Sequence, residues 1–234
     1  MARLPRLSVP GHPHLIIQRG HNRQAVFQGE ADYRIYLETL REYALTYRLA
    51  VHAYAVLPAE VFLLATPADE HALSRTMQSL GRRYVAWYNR QHGRTGALWD
   101  GRFRAGVVEA RSSLLACTVF VETQALRRGL VARADDWPWT SLAHHNGHRT
   151  DPLIAEHALW WELGNTPFER EMAYRRRLEQ GLGEAESRRI EDAATRGWAL
   201  GSPAFLSALA ERVPRPLAPR PRGRPRKQTL SVPD

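Results

Sequence analysis

The chain has 234 residues, a net charge of +9 and a single cysteine, Cys117. One cysteine excludes an internal disulfide, and no apolar run approaches the roughly 20 residues that a membrane-spanning helix needs. Because the first residues also lack the apolar stretch of a signal peptide, we expect a cytoplasmic protein that lies with the nucleoid.

Hydrophobic periodicity predicts strands and helices in alternation over the first 125 residues. Short apolar or alternating runs predict strands, and apolar residues at helical spacing predict helices. In chain order these are a strand over 14–19, a helix over 30–47, strands over 49–57 and 61–65, a helix over 72–90, a strand over 102–109 and a helix over 113–125.

The order β-α-β-β-α-β predicts a ferredoxin-like α+β fold. It gives a four-stranded antiparallel sheet with both helices on one face, and it leaves the other face for a ligand or a further helix. Many functions use this fold, so it does not decide between them.

The character of the sequence changes beyond residue 130, and three short helices are predicted further on, over 167–181, 184–196 and 203–211. We therefore divide the chain into a ferredoxin-like domain (1–150), a small helical extension (151–211) and an Arg/Pro-rich tail (212–234). The tail has six prolines after residue 212 and no aromatic residue, so we expect it to be disordered.

Several short motifs, taken in order, resemble the single-tyrosine HUH transposases of bacteria, in the branch associated with repetitive extragenic palindromes (REP). The resemblance covers nearly the whole chain, and it rests on the order and spacing of the motifs. They are QRGHNR at 18–23, HAY at 52–54 leading into LP at 57–58, RRY at 82–84, WDGRFR at 99–104, RRGLV at 127–131, WPW at 137–139, GWALGS at 197–202 and GRPRK at 223–227.

The resemblance implies a specific chemistry. Members of the family carry two histidines one residue apart, directly after a Leu/Met-Pro pair, and with the period of a strand both point to one face. There they hold a divalent metal, Mg or Mn, that polarises the scissile phosphate. A tyrosine on the helix after the fourth strand attacks phosphorus and forms a phosphotyrosine.

This sequence departs from the family at all three positions. Glu60 and Phe62 follow Leu57-Pro58 where the histidines stand, and counting back from residues 127–131 puts Phe120 at the tyrosine position. A phenylalanine has neither a lone pair for a metal nor a hydroxyl for attack. We therefore predict no catalytic residue and no cofactor, and a transposase-like binder of DNA that does not cleave it.

Relocated catalysis is one alternative. It would use Tyr84 or Tyr88 beside Arg82 and Arg83 on the second helix, although Tyr84 also lies on the apolar stripe of that helix, which favours core packing.

Histidines offer few replacements for the metal ligands. His144, His145 and His148 have a metal-like spacing, but Asn146-Gly147 predicts an exposed loop with solvated side chains. His12 and His14 are expected at the surface, and His52 is expected to be a hydrogen-bonded structural residue. Two further alternatives are an RNA-binding or interaction module that uses the open sheet face, and a decayed gene product.

Six arginines of the domain are candidates for contacts with DNA phosphates, which fix the register of a protein without reading bases. For each of them the alternative is an ordinary surface ion pair. They lie after the first strand, on the second helix, and on the fourth strand where two are expected to point to one face: Arg19 and Arg23, Arg82 and Arg83, Arg102 and Arg104.

The tail carries a second candidate for DNA binding. From Arg212 onward there are seven basic residues and one acid, which amounts to six of the nine net positive charges and is the footprint of a polyanion partner. Within it, Arg-Gly-Arg-Pro resembles an AT-hook, whose arginines enter the minor groove of AT-rich DNA. The residues concerned are Arg222, Arg224, Arg226 and Lys227. We expect hairpin or palindromic DNA as the partner.

Overall fold

A computed structural model of the chain describes residues 7–218. Four strands and nine α-helices lie within this range. The strands are His14–Arg19 (β1), Leu49–Val56 (β2), Glu60–Pro67 (β3) and Arg104–Val107 (β4), and the helices are Glu30–Thr46 (α1), Ala72–Gln91 (α2), Ala110–Glu122 (α3), Gln124–Arg127 (α4), Leu142–His145 (α5), Ala158–Trp161 (α6), Pro167–Gln180 (α7), Glu184–Arg196 (α8) and Pro203–Arg212 (α9).

The four strands form one antiparallel sheet in the order β2-β3-β1-β4, which confirms the ferredoxin-like prediction. Predicted and observed bounds agree within two residues except at α3, which begins and ends three residues earlier than predicted. Strand β4 has four residues and begins only at Arg104. The preceding segment turns instead at Gly101, whose φ of +66° is in the left-handed region that favours glycine. Arg102 therefore lies in a bend before the strand.

The first face of the sheet is covered by α1 and α2. Both helices are amphipathic and bury residues at helical spacing, among them Tyr36 and Leu40 on α1, and Leu80 and Tyr84 on α2. These side chains pack on Ile16 and other residues of the sheet in one apolar cluster.

The second face of the sheet is covered by α3 and α8. The sequence predicted either a ligand or a further helix on this face, and helices occupy it. Leu15, Ile17 and Leu64 pack there against both helices. The backbone of α8 comes so close to β4 that a Cβ on Gly106 would meet the carbonyl oxygen of Ala193 at 2.8 Å. An RNA module that uses an exposed sheet face is therefore not supported.

The outer edge of β2 is also occupied by the chain itself. The backbone N–H of Ala155 donates to Val51 (2.7 Å), that of Ser141 to Tyr54 (3.0 Å), and that of Val56 to Trp139 (2.9 Å). Segments that follow the last strand of the sheet in the chain thus satisfy this edge. The division of the chain at residue 150 stays a prediction.

None of the helices within residues 7–218 combines the length and the apolar character that crossing a membrane requires. The tail motif at 222–227 lies outside the described residues.

Candidate nucleic-acid interface

The three positions at which the sequence resemblance leads us to expect the histidine pair and the tyrosine come together in the fold. Strand β3 turns Glu60 and Phe62 to the same face, the face that α3 covers. Phe62 and Phe120 then meet edge to face, with ring centroids 6.1 Å apart and planes at 77°. Both side chains are fully buried. The contact is therefore a piece of apolar core, and neither ring reaches solvent.

Beside this aromatic pair lie four charged side chains, which we call the charge cluster: Arg19, Glu60, Arg128 and Glu191. Arg19 donates through Nε to Oε1 of Glu60 (2.9 Å), and its other nitrogen Nη2 lies 2.8 Å from Oε1 of Glu191. Arg128 donates to Oε2 of Glu60 (2.9 Å) and lies 3.3 Å from Glu191. Two positive and two negative charges thus neutralise each other.

Local geometry explains how the cluster is assembled. Arg19 ends β1 and Glu60 begins β3, and the two residues are register partners. The residue after Arg19 is Gly20. Glycine is required there because the chain folds back so closely that a Cβ would lie 2.3 Å from the carbonyl oxygen of Gln24. The guanidinium of Arg128 lies 5.7 Å from the centre of the Phe62 ring, a cation–π contact. The cluster therefore covers the buried rings.

The cluster does not fit a divalent metal ion of the kind used by the resembled family. Phe62 offers no ligand atom, and both carboxylate oxygens of Glu60 already accept hydrogen bonds from guanidinium groups. Within the part of the chain that the structure describes, no three His, Cys, Asp or Glu side chains lie together as a metal site would need. No reaction step can be derived through a metal here.

A shallow depression of about 370 Å³ opens next to the cluster and is lined by Arg19, Arg23 and Arg128. Arg23 is exposed at the end of a short 3-10 turn, and its φ of +57° is unusual for a residue with a side chain. Among the described residues it forms no ion pair. It is therefore the arginine of this depression that is available to an outside anion.

The other predicted arginines are divided between separate surfaces. Arg83 is paired with Glu42 at 2.6 Å on the outside of α1 and α2. Arg82 and Arg102 are exposed and line a cleft between α2 and the bend before β4. Arg104 pairs in register with Ile17, whose side chain faces α8, so it points to the other side of the sheet. The prediction that Arg102 and Arg104 share one face is wrong, because β4 starts too late to include Arg102.

The two tyrosines of the relocated-catalysis alternative are buried. The hydroxyl of Tyr84 donates to the carbonyl of Val26 (2.6 Å), and burial raises its pKa far above the ordinary value. The hydroxyl of Tyr88 accepts a hydrogen bond from Gln28 (2.6 Å). A nucleophile must reach its substrate, and these two hydroxyls do not reach the surface.

Two of the histidines lie in settings other than those predicted. His145 is buried, although the Asn-Gly sequence after it predicts an exposed loop, and its Nδ1 lies 2.6 Å from the carboxylate of Glu122. His14 is buried as well. Its Nε2 accepts a hydrogen bond from the backbone N–H of Val9 (3.2 Å). His52 meets its prediction, with Ala155 O and Thr66 Oγ1 at 2.6 and 2.7 Å from its ring nitrogens.

Sequence reasoning missed a buried carboxylate with several hydrogen-bond partners, Glu122 at the end of α3. Its carboxylate lies within hydrogen-bond distance of Ser141, His145 and Tyr174, the last at 2.5 Å, and all four residues are buried. These four side chains join α3 to α5 and α7. Its only sequence signal is a lone acid on an apolar helix, which by itself identifies no partner.

Comparison with known proteins supports the fold. No family model matches the chain, and no curated protein matches it. Among solved structures, a REP-associated tyrosine transposase bound to a REP hairpin is similar with a TM-score of 0.54 and 14% identity, over 68% of this chain and 93% of that one.

Two further matches are weaker. One is a candidate transposase from Deinococcus radiodurans (17% identity, TM-score 0.36, 54% of this chain and 97% of that one). The other is the tRNA(His) guanylyltransferase of Saccharomyces cerevisiae (11% identity, TM-score 0.38, 81% and 80%). At these TM-scores neither match bears on the fold. At 14% identity, the first match shows that the chain has the fold of a REP-associated tyrosine transposase.

Proposed function

We propose that the protein is a DNA-binding member of the REP-associated tyrosine transposase branch that binds hairpin or palindromic DNA without cleaving it. The observation that carries the proposal is the contact between Phe62 and Phe120, 6.1 Å between ring centroids, with Glu60 held by two arginines beside it. These are the positions at which the resembled family keeps its metal ligands and its nucleophile.

The loss of chemistry follows from the identity of the side chains. Strand cleavage of the family type needs an ionisable hydroxyl at the phosphate and a metal to polarise it. A buried phenylalanine pair supplies neither, and the carboxylate of Glu60 is already neutralised. The scaffold itself is intact, since every strand and both sheet-covering helix pairs are in place.

The proposed DNA binding rests on positive charge at the end of the sheet where the charge cluster lies. Arg104 begins β4 and Arg102 lies two residues before it, so both lie near the end of β1, where Arg19 is already engaged by Glu60 and Glu191. Arg23 adds an exposed charge after β1. Arginines of this kind bind phosphates of a backbone and set its register. The similar transposase is bound to a REP hairpin, which favours a hairpin as the DNA.

The basic tail is proposed to add a second contact. The motif Arg222-Gly223-Arg224-Pro225 suits the narrow minor groove of AT-rich DNA, and its attachment to the folded domain raises its effective concentration. The proposed partner is therefore DNA, with no metal cofactor.

The experiment measures binding and cleavage of the same labelled hairpin. We expect a shifted band with hairpin DNA in the presence of a chelator, and weaker binding of matched duplex and single strands. Arg23→Gln should weaken binding, whereas Arg34→Gln, on a solvated face of α1, should not. Incubation with Mg²⁺ or Mn²⁺ should give no nick and no covalent adduct. Metal-dependent nicking with a protein–DNA adduct would contradict the loss of chemistry.

A further inference from the structure

A cavity lies where α3, α6, α7 and α8 meet, and it shares no lining residue with the depression beside the charge cluster. It has a volume of about 460 Å³, within the range of about 300–1,000 Å³ that is common for small-molecule sites. Its apolar lining residues come from α3, from α6 and the turn after it, and from the turn between α7 and α8: Leu115, Ala116, Val119, Leu159, Leu163 and Leu182. This lining favours a ligand with an apolar part.

The rim of the cavity carries one positive and one negative group that other side chains do not neutralise. Arg111 donates to Glu162 at 2.6 Å, so this pair is already satisfied. Arg177 in the last turn of α7 and Glu186 in the first turn of α8 also line the cavity, and both are exposed. Within residues 7–218 neither of these two forms an ion pair. A ligand that carries both signs of charge would complement them.

A buried hydroxyl lines the same cavity. Ser113 on α3 is 5% exposed, and its Oγ lies 3.1 Å from Oγ of Ser112. The hydroxyl of Ser112 donates its own hydrogen to Glu109 (2.6 Å). Because a hydroxyl has only one hydrogen, Ser113 is the donor in the contact between the two serines. The oxygen of Ser113 therefore keeps its capacity to accept a hydrogen bond from a ligand.

Glu186 lies on the side of the cavity where Ser113 is found. Cys117 comes one helical turn after Ser113, so the two residues share a face of α3. Burial, and after it the negative charge of Glu186, raises the pKa of the Cys117 thiol, which places this carboxylate close to the same face. A carboxylate beside a hydroxyl acceptor suits an ammonium group, which has three donors and no acceptor.

The end of α7 supplies the opposite chemistry. Arg177 and Gln180 are three positions apart, so their side chains are neighbours on the surface of this helix, and both line the cavity. A guanidinium group can donate to both oxygens of a carboxylate, and an amide adds a further donor. This part of the rim suits a carboxylate.

From these features we propose that the cavity binds a free amino acid with an apolar side chain, such as leucine or phenylalanine. The carboxylate binds Arg177, the ammonium group binds Glu186 and Ser113, and the side chain packs on the apolar lining. This binding is independent of the proposed binding of DNA, so neither proposal depends on the outcome for the other.

Titration calorimetry of the full chain with leucine and phenylalanine tests the assignment. We expect saturable binding, which Arg177→Gln and Glu186→Gln should each weaken at least about tenfold, since each removes a charged hydrogen-bond partner. Ala116→Phe fills the cavity from its apolar side and should abolish binding. Arg176→Gln and Glu179→Gln make the same charge changes at exposed positions of α7 that do not line the cavity, and should leave the affinity unchanged.

Circular dichroism checks that each variant is folded. If Ala116→Phe does not fold, the two charge variants at the rim decide the outcome, because their side chains are exposed.

Three analogues separate the contacts of the ligand. N-acetyl-leucine lacks the ammonium group, leucinamide lacks the carboxylate and glycine lacks the side chain, so each should bind the wild type at least about tenfold more weakly than leucine. The weak binding of leucinamide should not change further in Arg177→Gln, and that of N-acetyl-leucine should not change further in Glu186→Gln.

Four results would overturn the assignment. They are the absence of saturable binding of either amino acid, an unchanged affinity in both rim variants, binding of N-acetyl-leucine as tight as that of leucine, and binding of glycine as tight as that of leucine. The third would identify an apolar anion as the ligand, and the fourth would show that the apolar lining is not used.

Discussion

Arg19 and Glu191 are 172 positions apart in the sequence, and their side chains meet at 2.8 Å between Nη2 and Oε1. The contact joins the last residue of β1 to α8, which covers the second face of the sheet. It also places a carboxylate against one side of the Arg19 guanidinium.

Removing the charge of Glu191 should therefore strengthen DNA binding. Glu191→Gln leaves Arg19 and Arg128 with one carboxylate between them, so we expect affinity for the hairpin to rise about two- to fivefold at low salt. The dependence of log K on log salt should steepen by up to about 0.9 for one added phosphate contact. Gel shifts across salt measure both quantities.

A matched control is Glu184→Gln on the same helix. Glu184 pairs with Arg188 on the exposed side of α8, and its replacement changes the net charge equally. An equal gain in affinity from both variants would show that net charge, and not the cluster, is responsible.

Glu122 should be the most costly carboxylate to remove. Glu122→Ala leaves the donors of Ser141, His145 and Tyr174 without an acceptor in the core, and we expect a decrease on the order of 3 kcal/mol in the free energy of unfolding. Urea denaturation measures it. Glu162→Ala, which breaks an exposed pair with Arg111, is the control and should cost less than about 1 kcal/mol.

Stability should fall as the pH drops below neutrality, because two histidines are buried in the neutral form. Burial lowers the pKa of His14 and of His52 to about 4, from an ordinary 6.5. Between pH 6.5 and 4 the unfolded chain binds protons that the folded protein does not, so the free energy of unfolding decreases with falling pH. Each histidine contributes at most about 1.4 kcal/mol per pH unit.

Urea unfolding at several pH values from about 7.5 to about 4.5 measures this slope. His52→Gln should make it shallower, whereas replacement of the exposed His148 by Gln should leave it unchanged. Stability that stays constant or rises on acidification would contradict the role of the buried imidazoles.

Tyr84→Phe separates structural roles from catalytic ones. The carbonyl of Val26 loses its buried donor, so stability should fall by about 1 kcal/mol, while hairpin binding stays the same. Tyr88→Phe should behave similarly. Denaturation and gel shifts measure the two effects. Metal-dependent nicking by the wild type that disappears in either variant would instead identify a relocated nucleophile.

Neutralising the tail should weaken DNA binding in proportion to the number of phosphates that the tail binds. The variant changes Arg222, Arg224, Arg226 and Lys227 to Gln in the full chain, and we expect the salt slope to fall by about 0.9 for each phosphate that is no longer neutralised. The control changes four exposed arginines on helices, Arg34, Arg41, Arg176 and Arg177, to Gln. Equal weakening in both variants would argue against a specific role of the tail.

Local pattern was sufficient for the fold. The helices α1 and α2 have apolar stripes at helical spacing, and their predicted bounds differ from the observed ones by one residue each. Counting from neighbouring motifs put Phe62 and Phe120 at corresponding positions, and the structure brings their rings together. Such features depend on residues close in sequence, which is why they are readable.

The ion pairs and the buried hydrogen bonds could not be predicted from the sequence in the same way. Glu191 reaches Arg19 across most of the chain, and the partners of Glu122 lie 19, 23 and 52 residues further along. No periodicity relates such residues, since tertiary packing alone brings them together. The mistaken face of Arg102 has a more local cause, namely a bend at Gly101 that the apolar pattern of 102–109 does not reveal.

The outer edge of β2 has a consequence for self-assembly. Its backbone groups at Val51, Tyr54 and Val56 are already bonded to residues 139–155 of the same chain. Unsatisfied strand edges are the usual template on which identical subunits join into one continuous sheet. Two copies of this protein cannot merge in that manner at β2, so any dimer formed there must be built from side-chain contacts.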